Sequence, residues 1–96
     1  MRLISNKALR DFARTHPAAQ ASLQGWRRII EQGRFRNFSE LKRAFNAVDK
    51  AGNYFVFNIA GNKYRIVTWI NYPYRVVYVR FIGTHARYDR IDAQTI

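Results

Sequence analysis

The chain has 96 residues, the size of one small domain, and we expect residues 1–96 to form a single core. It contains no cysteine, which excludes disulfides, thiolate metal sites and cysteine nucleophiles, while 48% hydrophobic residues suffice for a core without such staples. The 17 Lys and Arg against 6 Asp and Glu give a formal charge of +11, which favours nucleic acid as the partner, with an anionic membrane or an acidic protein as alternatives.

The N-terminal stretch MRLISNKALRDFARTHP has no apolar segment of the kind that directs export. Nowhere does the sequence approach the roughly 18 consecutive apolar residues that a membrane-spanning helix needs. The lack of cysteine fits a reducing compartment such as the cytoplasm.

Two helices are predicted in the first third of the chain. The first begins at a cap, Ser5 or Asn6, and ends at His16-Pro17, because the residue before a proline avoids the helical region. The second runs from about residue 18 to residue 32, with apolar residues at helical spacing and Gly33 as its stop. We expect the two to form a helical hairpin.

The rest of the chain predicts a short helix followed by a sheet. The stretch NFSELKRAF offers Ser39 as a cap for a helix that buries Leu41 and Phe45. Three β-rich runs then follow, separated by turn sequences, at residues 54–59, 63–71 and 76–82. The predicted fold is therefore α+β: an N-terminal helical hairpin packed on one face of a small antiparallel β-sheet, with a short C-terminal helix.

Alternation along the strands predicts two unlike faces. If Phe57 faces the core, an odd-sum register across the Ala60-Gly61 turn places these residues on the same side: Phe55, Ile59, Tyr64, Ile66, Thr68, Ile70, Val77, Val79 and Phe81. The opposite face then receives Val56, Asn58, Lys63, Arg65, Val67, Trp69, Tyr78, Arg80 and Ile82. Cations interleaved with aromatic rings suit RNA, because Arg and Lys bind phosphates while rings stack on bases. The alternative is an ordinary solvated surface.

The segment THARYD follows the last predicted strand. Thr84 is a candidate cap for a short helix, in which His85 and Tyr88 share one face beside the strand that carries Arg80. Histidine titrates near neutral pH, which suits proton transfer in RNA cleavage, although the segment also fits a plain helix start. Asp89 and Asp92 lack a third carboxylate nearby, so no metal site is predicted.

The runs VFNIAGNKYRIV (56–67), VYVRFIG (77–83) and THARYDRID (84–92), in this order after the helices and FSELKRAF, resemble the HigB toxin family of the RelE/ParE superfamily. The resemblance implies a RelE-like fold and a toxin similar to ribosome-dependent messenger RNA endoribonucleases, which use no cofactor. It also implies neutralisation by a helix-turn-helix, HigA-like antitoxin. Some superfamily members poison DNA gyrase, so a basic module that inhibits its target by docking, without cleavage, remains the second hypothesis.

The resemblance also implies roles for five residues. Arg65 and Arg80 would stabilise the charge that develops on phosphorus, and His85 would transfer a proton. Lys63 would bind phosphate or transfer a proton, and Tyr88 would stack on a base or orient it. Further RNA contacts are expected from Asn58, Trp69, Arg75, Tyr78 and Arg87.

Overall fold

Over residues 1–4 and 6–91, which the computed structural model describes, the chain forms a five-stranded mixed sheet with its first three helices on one face. The strands are β1 (Arg2–Ile4), β2 (Val48–Ala51), β3 (Tyr54–Ile59), β4 (Tyr64–Asn71) and β5 (Val76–Thr84). The helices are α1 (Asn6–Thr15), α2 (Gln20–Gln32), α3 (Phe38–Ala44) and α4 (His85–Tyr88), with a 3-10 turn at Pro17–Ala19. The α+β class and the order of its parts are confirmed. Ser5 and Asp92 lie outside the described residues.

The sheet order is β1-β5-β4-β3-β2. Strands β3, β4 and β5 form the predicted antiparallel meander. Two edge strands were not predicted: β2 pairs antiparallel with β3, and β1 pairs parallel with β5, which makes the sheet mixed. Both are short, with 3 and 4 residues, so neither shows a clear alternation in the sequence.

A side-chain hydrogen bond sets the start of α3, and close packing accounts for the glycine at the end of α2. Asn37 caps α3, since its side chain accepts a 3.0 Å hydrogen bond from the Glu40 N–H, and the prediction of Ser39 as the cap was wrong. Gly33 ends α2 as predicted, with extended backbone at φ −77°. A Cβ at Gly33 would lie 2.3 Å from the Phe35 ring, so the close approach of that ring explains the glycine.

The core lies between the sheet and helices α1 to α3. The predicted odd-sum register is confirmed by the pairing of Phe57 with Ile66, and both side chains are buried. Trp26 of α2 meets the Phe57 ring edge-on at 5.3 Å, and Phe12 of α1 meets the Tyr64 ring at 5.5 Å. These contacts fix the helices over one face and leave the other face uncovered by them.

A β-bulge at Arg80 changes the faces of β5. Val67 pairs with Phe81 whereas Thr68 pairs with Val79, so Arg80 is an extra residue in the strand. Beyond the bulge, Phe81 packs with the residues of the uncovered face, and Ile82 packs against the core. The prediction that placed Phe81 inside and Ile82 outside was wrong, because one inserted residue reverses the alternation.

Candidate active site on the open sheet face

The face of the sheet opposite the core, called the open face below, carries three rows of side chains across β3, β4 and β5. The rows follow from the strand register and are Asn58–Arg65–Gly83, Val56–Val67–Phe81 and Tyr54–Trp69–Tyr78. The middle row is an apolar patch in which Val56 and Val67 are buried. It separates two polar groups, one at each end of the face.

The first group, called the His85 end, comprises Asn58, Lys63, Arg65, His85 and Tyr88. Helix α4 lies over this end, and its Tyr88 ring sits under the Arg65 guanidinium, 4.8 Å from the guanidinium carbon to the ring centre. The Tyr88 ring also contacts Phe81, with ring centres 6.4 Å apart. The position of the Arg65 charge is therefore held by an aromatic surface.

Two polar atoms at the His85 end are buried without a hydrogen bond to any residue that the structure describes. They are Nε of Arg65 and Oδ1 of Asn58, two residues that pair across β3 and β4. Buried polar atoms usually find a partner, because leaving one unpaired costs about 1–3 kcal/mol. A ligand that accepts from the arginine and donates to the amide oxygen would satisfy both atoms.

His85 is held by its backbone and by its ring. Its N–H donates a 3.1 Å hydrogen bond to the carbonyl of Lys63, which joins the β3–β4 turn to the start of α4. The Thr84 side chain accepts from the Arg87 N–H at 3.2 Å, so the predicted cap is confirmed. On the ring, Nδ1 lies 3.0 Å from Oδ2 of Asp89. Within the described part of the chain, Nε2 has no partner and remains open for a substrate.

The second group, called the aromatic pocket, comprises Tyr54, Trp69, Tyr78 and Arg80. These residues line a cavity of about 370 Å³ at the far end of the open face. The Trp69 and Tyr78 rings lie 5.4 Å apart with their planes tilted by 49°, and both remain more than a third exposed. Paired aromatic rings of this kind offer a surface on which a planar ligand can stack.

The structure separates some of the residues that the sequence grouped. Arg80, expected to act with Arg65 and His85, lines the aromatic pocket. Arg75 lies in the β4–β5 turn, where its carbonyl accepts a 2.7 Å hydrogen bond from the Arg2 N–H. That turn and the Lys63 turn are at opposite ends of β4, roughly 23 Å apart at the rise of an extended strand. Neither group on the open face includes Arg75.

Two residues near the site were not predicted as functional. Tyr54 begins β3 and enters the aromatic pocket because it lies on the same face as Trp69. Asp89 contacts His85 from the next turn of the chain. The spacing of four residues between His85 and Asp89 is the signal that could have indicated the contact, since such pairs meet on a helical turn.

Arg87, expected to contact RNA, is exposed on α4 beside this pair.

No helix within residues 1–4 and 6–91 is long and apolar enough to cross a membrane. The same residues contain no group of three or more His, Cys, Asp or Glu side chains that could hold a metal ion.

Comparisons with known proteins point to one family. The model of the HigB toxin family, described as the RelE-like toxic component of a toxin-antitoxin system, matches residues 19–91. The mRNA interferase toxin HigB of Escherichia coli strain K12 is 33% identical over 96 residues, which covers 97% of this chain and 92% of the relative. The mRNA interferase HigB of Escherichia coli O6:H1 is 28% identical over 94 residues, covering 95% and 91% of the two chains.

Proposed function

This chain belongs to the HigB toxin family, the RelE-like toxic components of toxin-antitoxin systems, and from that premise we propose that it is an endoribonuclease that cleaves messenger RNA and thereby inhibits translation. Relatives that match nearly the whole chain are named mRNA interferases. The observation that supports cleavage best is the His85 end, where the strand pairing and a backbone hydrogen bond bring the positions of Arg65, Lys63 and His85 to one end of the open face.

The reaction is transfer of the phosphate within the RNA chain. The 2′ oxygen of a ribose forms a bond to the adjacent phosphorus, and the bond from that phosphorus to the 5′ oxygen of the next nucleotide breaks. The 2′ hydroxyl loses a proton, the phosphoryl group passes through a more negative pentacovalent state, and the leaving 5′ oxygen gains a proton. The site must therefore move protons and stabilise negative charge.

His85 carries the proton transfer in this proposal. With its Nδ1–H directed at the Asp89 carboxylate, the neutral ring has its lone pair on Nε2, where it can accept the proton of the 2′ hydroxyl. The carboxylate then stabilises the imidazolium that forms, as the aspartate does in a Ser-His-Asp triad. Asp89 is thus a positioning residue.

Arg65 and Lys63 supply the positive charge. The guanidinium of Arg65 is held against the Tyr88 ring, so it needs little rearrangement when charge develops on phosphorus. The backbone carbonyl of Lys63 accepts the hydrogen bond from the His85 N–H, which places Lys63 beside His85. Its flexible ammonium suits a phosphate or the leaving oxygen. Asn58 presents its buried oxygen to the same region and would accept from a ribose or base.

The proposed partners of the protein are the ribosome and an antitoxin, and its proposed location is the cytoplasm. The His85 end is open, so we expect the ribosome to hold the message in line for attack. The partner antitoxin would be a HigA-like helix-turn-helix protein with an acidic or amphipathic segment. Two basic surfaces can receive that segment: the open face, and a groove between α1 and α2 that includes Arg10, Arg14 and Arg27.

Mapping of 5′ ends after induction in cells tests the function. Translated transcripts should break at reproducible codon positions, while a matched transcript without its start codon stays intact. The His85→Ala variant, which should keep its circular dichroism spectrum, serves as the control protein. Intact messages together with DNA damage signalling would contradict the proposal and support a gyrase-binding toxin.

A further inference from the structure

The aromatic pocket lies apart from the residues assigned to chemistry. Arg65 and Trp69 are four residues apart on β4, which is about 13 Å at the rise of an extended strand. The apolar patch fills the space between them. At this distance the Trp69 ring does not reach the phosphate that Arg65 would bind, so a ligand in the pocket would be a different group of the RNA.

The lining of the pocket matches a nucleobase. Trp69 and Tyr78 expose ring surface, and stacking of bases on such rings is a common mode of single-stranded RNA binding. The cavity of about 370 Å³ is shallow and open, as a stacked base requires. Arg80 is the extra residue of the β-bulge, and bulges are common beside functional sites, where they change the direction of a side chain.

Arg80 adds a hydrogen-bonding preference. Its guanidinium makes no ion pair or hydrogen bond with the residues that the structure describes, so its donors are available. Arginine has five N–H donors and no acceptor. Guanine presents two acceptors, O6 and N7, on one edge, which arginine binds with its two-pronged fork, whereas adenine presents a donor beside N7.

We propose that the aromatic pocket binds one nucleobase of the message, guanine in preference to adenine, at a nucleotide beyond the two that flank the cleaved phosphate. The base stacks on Trp69 and Tyr78, and Arg80 binds its O6 and N7 edge. The inference rests on the proposed function, since it gives the same enzyme a second RNA subsite. It assigns Arg80 to substrate selection rather than to charge stabilisation.

Tryptophan fluorescence tests the pocket without any cleavage. The chain has two tryptophans, and Trp26 is 3% exposed against 38% for Trp69, so quenching by a stacked base reports on Trp69. Titration of the antitoxin-free protein with trinucleotides should give saturable quenching, about tenfold or more tighter for GGG than for AAA. The Trp69→Phe variant keeps a stacking ring and should lose the signal. Equal affinity for the two trinucleotides, or no quenching, would overturn the proposal.

A chemical control isolates the role of Arg80. A trinucleotide of 7-deazaguanine keeps the ring and O6 but lacks N7, so it should bind more weakly than GGG. Arg80→Lys keeps the charge but loses the fork, and it should lose the preference for GGG. A preference that survives in Arg80→Lys would contradict the assignment of the guanine edge to this residue.

Cleavage kinetics on programmed ribosomes separate selection from chemistry. Trp69→Ala and Arg80→Lys should raise KM about tenfold with kcat retained, and the mapped cut sites should lose their bias toward guanine. A uniform fall in kcat for every codon, with KM unchanged, would return Arg80 to charge stabilisation and overturn the proposal. Quenching by GGG without any cleavage of translated messages would instead contradict the proposed function and leave the pocket in place.

Discussion

The two ends of the open face use similar side chains and hold them differently. At the His85 end two of the groups have a fixed neighbour: Tyr88 lies under Arg65, and Asp89 contacts the His85 ring. In the aromatic pocket, Trp69 and Tyr78 lean on each other and stay more than a third exposed. Fixed groups suit the stabilisation of a transition state, whereas exposed rings suit the binding of flexible RNA. Substitutions at the first end should therefore lower kcat, and substitutions at the second should raise KM.

The largest effect is expected for His85→Ala. Removal of a group that transfers a proton should lower kcat by a factor of about 10² to 10⁴ with KM nearly unchanged. The ring is partly exposed, so the variant should keep its circular dichroism spectrum and its binding to antitoxin. His16→Ala is the matched control, since that histidine stacks on Phe12 away from the open face and its loss should leave kcat intact. Full toxicity of His85→Ala would mean that His85 is not catalytic, that THARYD is an ordinary helix start, and that residues of the sheet carry the reaction.

Arg65→Ala should have the next largest effect. Loss of a charge placed for the transition state costs roughly 3 to 4 kcal/mol, or about 10² to 10³ in kcat. The contact with Tyr88 supplies the comparison: Tyr88→Phe keeps the ring under the guanidinium and should stay close to wild type, whereas Tyr88→Ala should lose part of the rate. Single-turnover cleavage on ribosomes measures both. If Tyr88→Phe is as poor as Tyr88→Ala, the hydroxyl matters and the ring is not the support for Arg65.

The salt dependence of RNA affinity should also distinguish the two ends, although the expected change is smaller than the changes in kcat above. Lys63→Ala removes one phosphate contact and should lower the steepness of log affinity against log salt by about 0.7, the value for one contact to a single strand. Trp69→Ala removes stacking, so it should weaken RNA binding at every salt concentration and leave the slope as in wild type. Fluorescence anisotropy with a labelled single-stranded RNA measures both slopes. An unchanged slope in Lys63→Ala would place this lysine outside the phosphate path.

Much of this arrangement could be predicted from the sequence. The helices, the meander and the register at Phe57 and Ile66 followed from periodicity, because the β3–β4 turn is short and leaves few alternatives. The family resemblance, which rested on the order of long motifs, is confirmed by the family match. The toxin family could therefore be predicted from the sequence motifs alone, without any knowledge of the contacts in the structure.

The rest depends on features with no compositional signal. A single extra residue at Arg80 exchanged the faces of Phe81 and Ile82, and alternation cannot reveal which strand carries a bulge. Asp89 was judged as a metal ligand and dismissed, although its contact is with His85. The roles of the site residues, Asn58 and Arg87 among them, stay predictions.

The smallest effect is expected for Arg75→Gly, and it tests how far the RNA path extends. Arg75 has φ 58°, in the left-handed region that costs other residues roughly 1–2 kcal/mol, while glycine loses about 0.5–1 kcal/mol more in chain entropy on folding. The two contributions oppose each other, so urea denaturation should show a change in unfolding free energy within about 1 kcal/mol. Because this turn lies roughly 23 Å from the Lys63 turn, kcat and KM on ribosomes should match wild type. A clear rise in KM would show that the message runs past the aromatic pocket to the β4–β5 turn, and would restore Arg75 to the RNA contacts that the sequence predicted.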